Sequence, residues 1–392
     1  MMISEQARNR LTILKAISRH APVARTQLPQ QTGLSAGTVS SVTNDLVARG
    51  WVRETRDSSF SRGRPRAYLS VNPDGAVVVS AVMNGQGALA VAFVDLSGRV
   101  HYDEDHPLQS CRSIAELTQE IIRALREAIA RSPVDPARID RIGIALPALV
   151  STRHGRILFM ATMQPDSLPF TATISDALGI AVTVENALAV MARAEHWFGR
   201  AKGLDTFTLV NVSYAIGVSE YANGMPSSGA NGIASELGHT KIAWDEEALP
   251  CYCGARGCAT AYASMYALLI ATGRVKSGHL PAISDLYAAF LAMMDQAATG
   301  DPAIIAAIAR AGTYLGRLLA NHVNAMDPGH ILVIMPDARL HPMIAETFNA
   351  AFDENILPGM RGLVTVQFAL EDPDWRWRGT AALALEQCYV SG

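Results

Sequence analysis

Glu236-Leu237-Gly238-His239, followed by Cys251-Tyr252-Cys253-Gly254-Ala255-Arg256-Gly257-Cys258, is the stretch of this 392-residue chain that decides how the rest is read. It supplies one imidazole and three thiols. The Cys-x-Cys-Gly-x-x-Gly-Cys spacing bends the backbone at two glycines, so three sulfurs can converge on one ion. His239, Cys251, Cys253 and Cys258 would complete a tetrahedral Zn2+ shell with no position open for water, which marks a structural site and not a catalytic one. Free cysteines in a loop are the alternative. The chain has five cysteines, Cys111 and Cys388 being the other two. An odd count with tight clustering argues for metal ligation over a disulfide framework. His239 lies well upstream of Cys251, so spacing constrains it least.

Working outward, the composition is 49% hydrophobic and 18% charged, which fills several cores and excludes a wholly disordered chain. The net charge of −3 conceals an asymmetry. Residues 1–70 hold eleven Lys/Arg and four acids, a net of +7; the remainder carries a net of −10. A basic head on an acidic body points to a nucleic-acid partner for the head. The start of the chain has no signal-peptide pattern, and no window offers ~18 uninterrupted apolar residues. A soluble, cytoplasmic protein with no membrane partner is the expectation.

Within the head, residues 6–18 read as an amphipathic helix on Leu11, Leu14 and Ile17. A short helix at 26–31, a turn at Gly33 and a third helix capped by Ser35 and running to Ala48 make a helix-turn-helix pattern. Val39, Val42, Leu46 and Val47 form its buried stripe. Thr38, Ser41, Asn44 and Asp45 face away from it, and Ser35, Thr38, Ser41 and Asn44 can meet base edges in a major groove. Strand-like 51–53 and 67–71 flank a basic segment, which suggests a β-hairpin wing tipped by Arg62-Gly63-Arg64-Pro65. Arg62 and Arg64, with Gly63 permitting close approach, suit a narrow A/T-rich minor groove. A protein-interaction module with solvated arginines is the alternative.

From residue 76, strands and helices alternate. Runs 76–83, 88–95, 141–146, 181–185, 206–212 and 331–334 read as strands, and 114–131, 187–197, 261–272, 283–294, 302–325 and 343–352 as helices. The class is α/β, with room for two lobes.

These residues together resemble the ROK family (repressors, open reading frames and sugar kinases), in particular its transcriptional-repressor branch. The resemblance rests on the Gly-Arg-Pro wing, Gly229-Ala230-Asn231-Gly232, Glu236-Leu237-Gly238-His239 and the cysteine motif. It implies an actin-like, ribonuclease-H-like two-lobed body of sugar-kinase type, with an effector cleft between the lobes. The implied division is a winged helix-turn-helix at 1–72, a first lobe at 73–190 plus 376–392, and a second lobe at 191–375. The last of these would hold the zinc motif, effector contacts and dimerisation surface. Asn186, Asn231, Glu236 and His239 would bind the sugar, His239 with one ring nitrogen on the metal.

Departures from the family's kinase pattern are informative. Its Asp-Ile-Gly-Gly-Thr loop is here Met83-Asn84-Gly85-Gln86-Gly87, and its Gly-Thr-Gly-Ile-Gly loop is Ser213-Tyr214-Ala215-Ile216-Gly217. A Gly-Gly by the adenine site is Met335-Pro336-Asp337. The catalytic Glu-Asn-Asp is Glu185-Asn186-Ala187, and Ala187 cannot accept a proton. Thr260 stands where kinases and many repressors carry a glutamate. Phosphoryl transfer needs those positioned groups, so no catalytic residues, no enzyme activity and no ATP are expected. The expected partners are a double-stranded DNA operator, a sugar or sugar-phosphate effector, and a second copy, as homodimer or tetramer. A sugar kinase with a regulatory head, and a regulator controlled by a protein partner, remain open alternatives.

Overall fold

The computed structural model describes residues 5–56, 67–84, 87–161 and 163–390. The head runs α1 (Glu5–His20), β1 (Val23–Ala24), α2 (Leu28–Thr32), α3 (Ala36–Ala48), β2 (Val52–Arg56) and β3 (Ala67–Val71). The expected helix at 26–31 is resolved into a 3-10 turn at Arg25–Gln27 and α2, with Pro29 in the first turn, where its missing N–H has no intrahelical role. Gly33, at φ 70°, caps α2 and donates its N–H to Pro29 at 3.0 Å. The strands order as β1-β3-β2, with Val52 opposite Val71 and Arg56 opposite Ala67. The wing's tip, Arg62-Gly63-Arg64, lies outside the described residues.

Leu11, Leu14, Ile17, Val39, Val42 and Leu46 form the head's core. Thr43 is buried on the stripe where Val47 was expected, and Val47 is half-buried. A threonine is tolerated there because its Oγ1 donates to Val39 O at 2.7 Å.

The first lobe comprises β4 (Val77–Met83), β5 (Ala88–Asp95), β6 (Val100–Pro107), α4 (Ile114–Arg131), β7 (Ile139–Leu146), β8 (Leu149–Ser151), β9 (Arg156–Phe159), α5 (Phe170–Leu178), β10 (Ala181–Asn186) and α6 (Ala187–Phe198). The second comprises β11 (Phe207–Val212), β12 (Ile216–Ala222), β13 (Met225–Pro226), α7 (Thr260–Ala263), α8 (Met265–Ala271), α9 (Ile283–Ala298), α10 (Pro302–Met326), β14 (His330–Met335), α11 (Leu340–Asn355) and β15 (Thr365–Leu370). The two main sheets have one topology, β6-β5-β4-β7-β10 and β13-β12-β11-β14-β15. Each is an antiparallel meander extended by two parallel strands. That is the ribonuclease-H-like repeat. The expected helix at 261–272 is broken at Ser264, whose Oγ accepts the Ala267 N–H at 3.2 Å and so starts α8.

The last helix, α12 (Trp375–Val390), begins before Arg378 and returns to the first lobe against α6, β4 and β7. Gly379 permits this, since a Cβ there would stand 2.1 Å from Val190 O. Among the described residues α10 alone is long and apolar enough to cross a membrane. Its Ile304, Ile308, Leu315 and Leu319 lie in the second lobe's core.

The head is packed onto the body. Trp197 and Ala382 join its apolar core. His196 is sealed there, its Nδ1–H donating to Leu204 O at 3.1 Å and its Nε2 facing Arg19 Nη2 at 3.4 Å. Those partners fix a neutral tautomer, because a carbonyl only accepts and a guanidinium only donates. Burial, with the Lys15 and Arg19 charges, lowers the His196 pKa to about 3. The unfolded histidine takes a proton near pH ~6.5, whereas the folded one refuses it until about 3. Its contribution is therefore intact above pH ~6.5 and is lost, by up to ~1.4 kcal/mol per pH unit, as pH falls. In denaturant unfolding between pH 6.5 and 4, His196→Asn is expected to show a shallower loss of stability than the unsubstituted protein. Equal slopes would contradict this.

Candidate metal centre, cleft and nucleic-acid interface

Ser35 starts α3 by accepting the Thr38 N–H at 3.1 Å, and its Oγ lies 2.9 Å from Thr38 Oγ1. Two of the expected base-facing hydroxyls thus pair with each other at the helix start. Ser41 is exposed, as is the neighbouring Ser40. Asn44 is exposed but tied, its Oδ1 accepting from Arg25 Nη1 at 2.6 Å while Arg25 Nη2 donates to Glu54 at 2.6 Å. Only the Asn44 amide N–H groups remain to face a base. Asp45 bridges Arg10 at 3.1 Å and Arg49 at 3.0 Å, so it orients helices instead of reading DNA.

In the second lobe the ligand atoms of His239, Cys251, Cys253 and Cys258 all lie within 4.8 Å of one another. Cys251 Sγ stands 3.8 Å from His239 Nδ1, and Cys253 Sγ stands 3.7 Å from Cys258 Sγ. A tetrahedron with bonds of ~2.3 Å has sulfur–sulfur edges of roughly 3.8 Å, so the group can hold a metal ion as it stands. Burial pushes the Cys251 thiol up to about 12, so thiolates crowded here require a cation among them. Lys241 Nζ donates to Cys258 Sγ at 2.9 Å, a charged partner that the sequence reading missed although it stands beside His239.

Gly238 seats the His239 turn on β12, since a Cβ would meet Ile216 O at 2.0 Å. Thr260 is fully buried and its Oγ1 accepts the Ile216 N–H at 3.3 Å. The hydroxyl at that position is a strut inside the lobe.

Between the lobes, the turn after β8 grips the glycine loop. Ser151 Oγ donates to Asn231 O at 2.7 Å, Thr152 donates its N–H and Oγ1 to Gly232 O at 3.2 and 3.1 Å, and Arg153 Nη1 donates to Ala230 O at 3.2 Å. Asn231 thus takes part through its carbonyl, with its side chain exposed. Asn186 caps α6, its Oδ1 accepting the Leu188 N–H at 2.8 Å while its Nδ2 donates to Ala148 O at 2.9 Å. Glu236 is exposed, though partial loss of water around its carboxyl raises its pKa. His239 presents Nδ1 to the sulfurs.

Two amides of the turn at 213–217 are engaged within the lobe. Ser213 N donates to Ala215 O at 2.9 Å and Ile216 N to Thr260, while Leu188 covers Gly217 so closely that a Cβ would stand 1.8 Å from its Cδ1. Ser213 Oγ is taken by Tyr287 at 2.7 Å. In the first lobe, Asn84 closes its own turn on Ala88, N to O at 2.9 Å and Oδ1 to N at 3.0 Å. Gly85 and Gln86 lie outside the described residues. Asp337 is held by Arg339 at 2.7 Å, which lowers its pKa.

Residues 79–387 match the ROK family and residues 7–61 the MarR family. The xylose repressor of Bacillus spizizenii is 28% identical over 353 residues, covering 89% of this chain and 88% of its own. The DNA-binding transcriptional dual regulator NagC of Escherichia coli is 25% identical over 326 residues, covering 83% and 79%. A solved ROK family transcriptional regulator, a homolog of the E. coli MLC protein, aligns over 98% of this chain and 96% of its own, at 25% identity and a TM-score of 0.78. A ROK family glucokinase from Streptomyces griseus, solved with glucose and AMPPNP, aligns over 79% of this chain and 99% of its own, at 21% identity and a TM-score of 0.62. The family match takes in both main sheets and the Cys/His cluster, and the chain belongs to the ROK family.

Proposed function

We propose that the chain is a DNA-binding transcriptional regulator, a repressor of sugar-utilisation genes whose operator affinity follows a sugar or sugar phosphate bound between the lobes. The observation that carries this reading is a MarR-like winged head packed directly on a ROK body. The xylose repressor and NagC, similar along most of the chain, are named as regulators. We take the units as 1–72, 73–190 with 376–392, and 191–375, acting as a homodimer or tetramer in the cytoplasm. Two heads on a two-fold axis would read half-sites one helical turn or a multiple apart. Ser35, Thr38, Ser41 and Asn44 would face bases, with Arg62, Gly63 and Arg64 in the minor groove.

The metal in this reading is zinc, held by His239, Cys251, Cys253 and Cys258, and it supplies rigidity to the loop that begins at Glu236. Asn186, Asn231, Glu236 and His239 would line the sugar site. His239 Nε2, left by a metal on Nδ1, can orient a hydroxyl, and Glu236 can accept from another. Phosphoryl transfer is lost in this reading. The Ser213 and Ile216 amides are engaged internally, Leu188 covers Gly217, and Ala187 offers no base.

A panel of pentoses, hexoses and their phosphates, each with and without ATP, tests this. One sugar at 100 times its dissociation constant is expected to add ~2.7 kcal/mol of stability. No phosphorylated product is expected. Turnover that depends on the cleft would overturn the repressor reading, and silence across the panel would favour control by a protein partner.

A further inference from the structure

Three ionisable side chains meet between β10 and the head. Arg193 on α6 and Glu386 on α12 are buried, and Glu185, half-buried, precedes Asn186 at the end of β10. Arg193 Nε donates to Glu386 Oε2 at 2.7 Å, while its Nη2 stands 3.3 Å from Glu185 Oε2. The other Glu185 oxygen accepts the Asn186 N–H at 3.0 Å, and Asn186 in turn holds Ala148 O on the loop before β8. That loop leads into the grip on the glycine loop, so one end of the chain of contacts lies at the cleft.

The other end lies on α1. The second Glu386 oxygen accepts Trp197 Nε1–H at 3.1 Å. Lys15 Nζ stands 5.6 Å over the Trp197 ring and donates to Gly224 O. One turn further, Arg19 meets His196. Apart from the Glu185–Asn186 contact, the links join different elements: β10 to α6, α6 to α12, and α6 with the β12–β13 turn to α1.

A buried ion network of this kind adds little net stability over apolar packing, and its best-attested use is to fix register. The two carboxylates are unequal. Burial raises the Glu185 pKa, whereas Arg193 and Lys15 outweigh burial to lower that of Glu386. At 2.7 Å against 3.3 Å, Arg193 is held more closely by Glu386 than by the carboxylate on β10. Arg193 stands between both acids here; drawn fully to Glu386 it would release Glu185.

We propose that Glu185–Arg193–Glu386 is the switch that couples the cleft to the seat of the DNA-binding head, with Trp197 and Lys15 as its receiving end. A polyhydroxyl ligand that moves the Glu185-Asn186 turn changes how Arg193 is shared. That in turn changes the hold of Glu386, Trp197 and Lys15 on α1. The inference rests on the cleft being the effector site, and it names the element through which that site acts. Differential affinity of the ligand for the two arrangements supplies the coupling.

The test is a double-substitution cycle with Glu185→Gln and Lys15→Met in the full chain, each removing charge at similar volume. Hydrogen exchange of the amides of residues 5–20 is read against those of α4 in the first lobe. Operator affinity is measured in parallel on duplexes selected by the protein. Glu185→Gln is expected to speed α1 exchange several-fold and leave α4 unchanged. The double variant should depart from the product of the single effects by at least about threefold, because the two sites share partners. Multiplying effects, an unchanged α1, or equal acceleration in α4 would overturn the proposal. Failure to select any duplex would sink the regulator reading, while the exchange cycle would still decide the switch.

Discussion

With zinc on the Cys/His cluster, as proposed, Cys258→Ser is expected to release the metal and to lower the unfolding midpoint by roughly 7–20 °C. Cys258 is fully buried, 3.7 Å from Cys253 Sγ, and receives the Lys241 ammonium. A serine oxygen is a harder, shorter-reaching donor than a thiolate and binds a soft site poorly. Structural zinc in small domains supplies ~10–16 kcal/mol of apparent binding free energy, which is folding free energy where the unfolded chain holds no site. Losing even a third of that, at ~2–4 °C per kcal/mol for a lobe of this size, gives the stated shift. Elemental analysis per chain and calorimetry check it. Cys111→Ser, outside the cluster, should leave both readouts unchanged. Full metal retention in Cys258→Ser would contradict the ligand set.

Ser41→Glu is expected to weaken operator binding at least about a hundredfold while the head stays folded. Ser41 is exposed on α3 beside Thr38 and Asn44, so the substitution removes no core contact and should shift stability by no more than ~0.5 kcal/mol. On DNA, the new carboxylate would face base edges and phosphates at a desolvated surface. Like-charge juxtaposition of that kind costs several kcal/mol, and ~1.4 kcal/mol is tenfold. Fluorescence anisotropy on a selected duplex, with thermal unfolding as the control, reads both quantities. Unchanged affinity would remove α3 from the interface.

What the sequence disclosed depends on how local each signal was. The metal cluster was legible because its thiols lie within one loop, and the helix-turn-helix because Gly33 and Ser35 punctuate it. Strand β6 was missed because Val100–Pro107 sets Val100 and Tyr102 among three acids and two histidines at the sheet's edge. β12 was missed because Gly217 and Ser219 interrupt its pattern. α5 was missed because its threonines suit strands as well as helices. The grip between Ser151–Arg153 and the glycine loop was invisible, since it joins segments far apart in the chain through backbone carbonyls. The Arg193–Glu386 network was hidden for another reason. Periodicity reads polar residues on α6 as a solvated face, whereas Arg193, Glu195 and His196 are all buried. A helix buried on every side gives such reasoning no outward face to find.

Asn186 and Thr260 serve first as a helix cap and an internal strut, and Asn44 as a partner of Arg25.

Selection of bound duplexes from a random-sequence DNA library by the whole chain decides whether it reads a specific DNA site. The expected result is enrichment of a two-fold-symmetric site with half-sites one helical turn or a multiple apart and A/T-rich flanks, lost in Ser41→Glu. Recovery of no common sequence after repeated rounds, or equal enrichment by Ser41→Glu, would contradict the account.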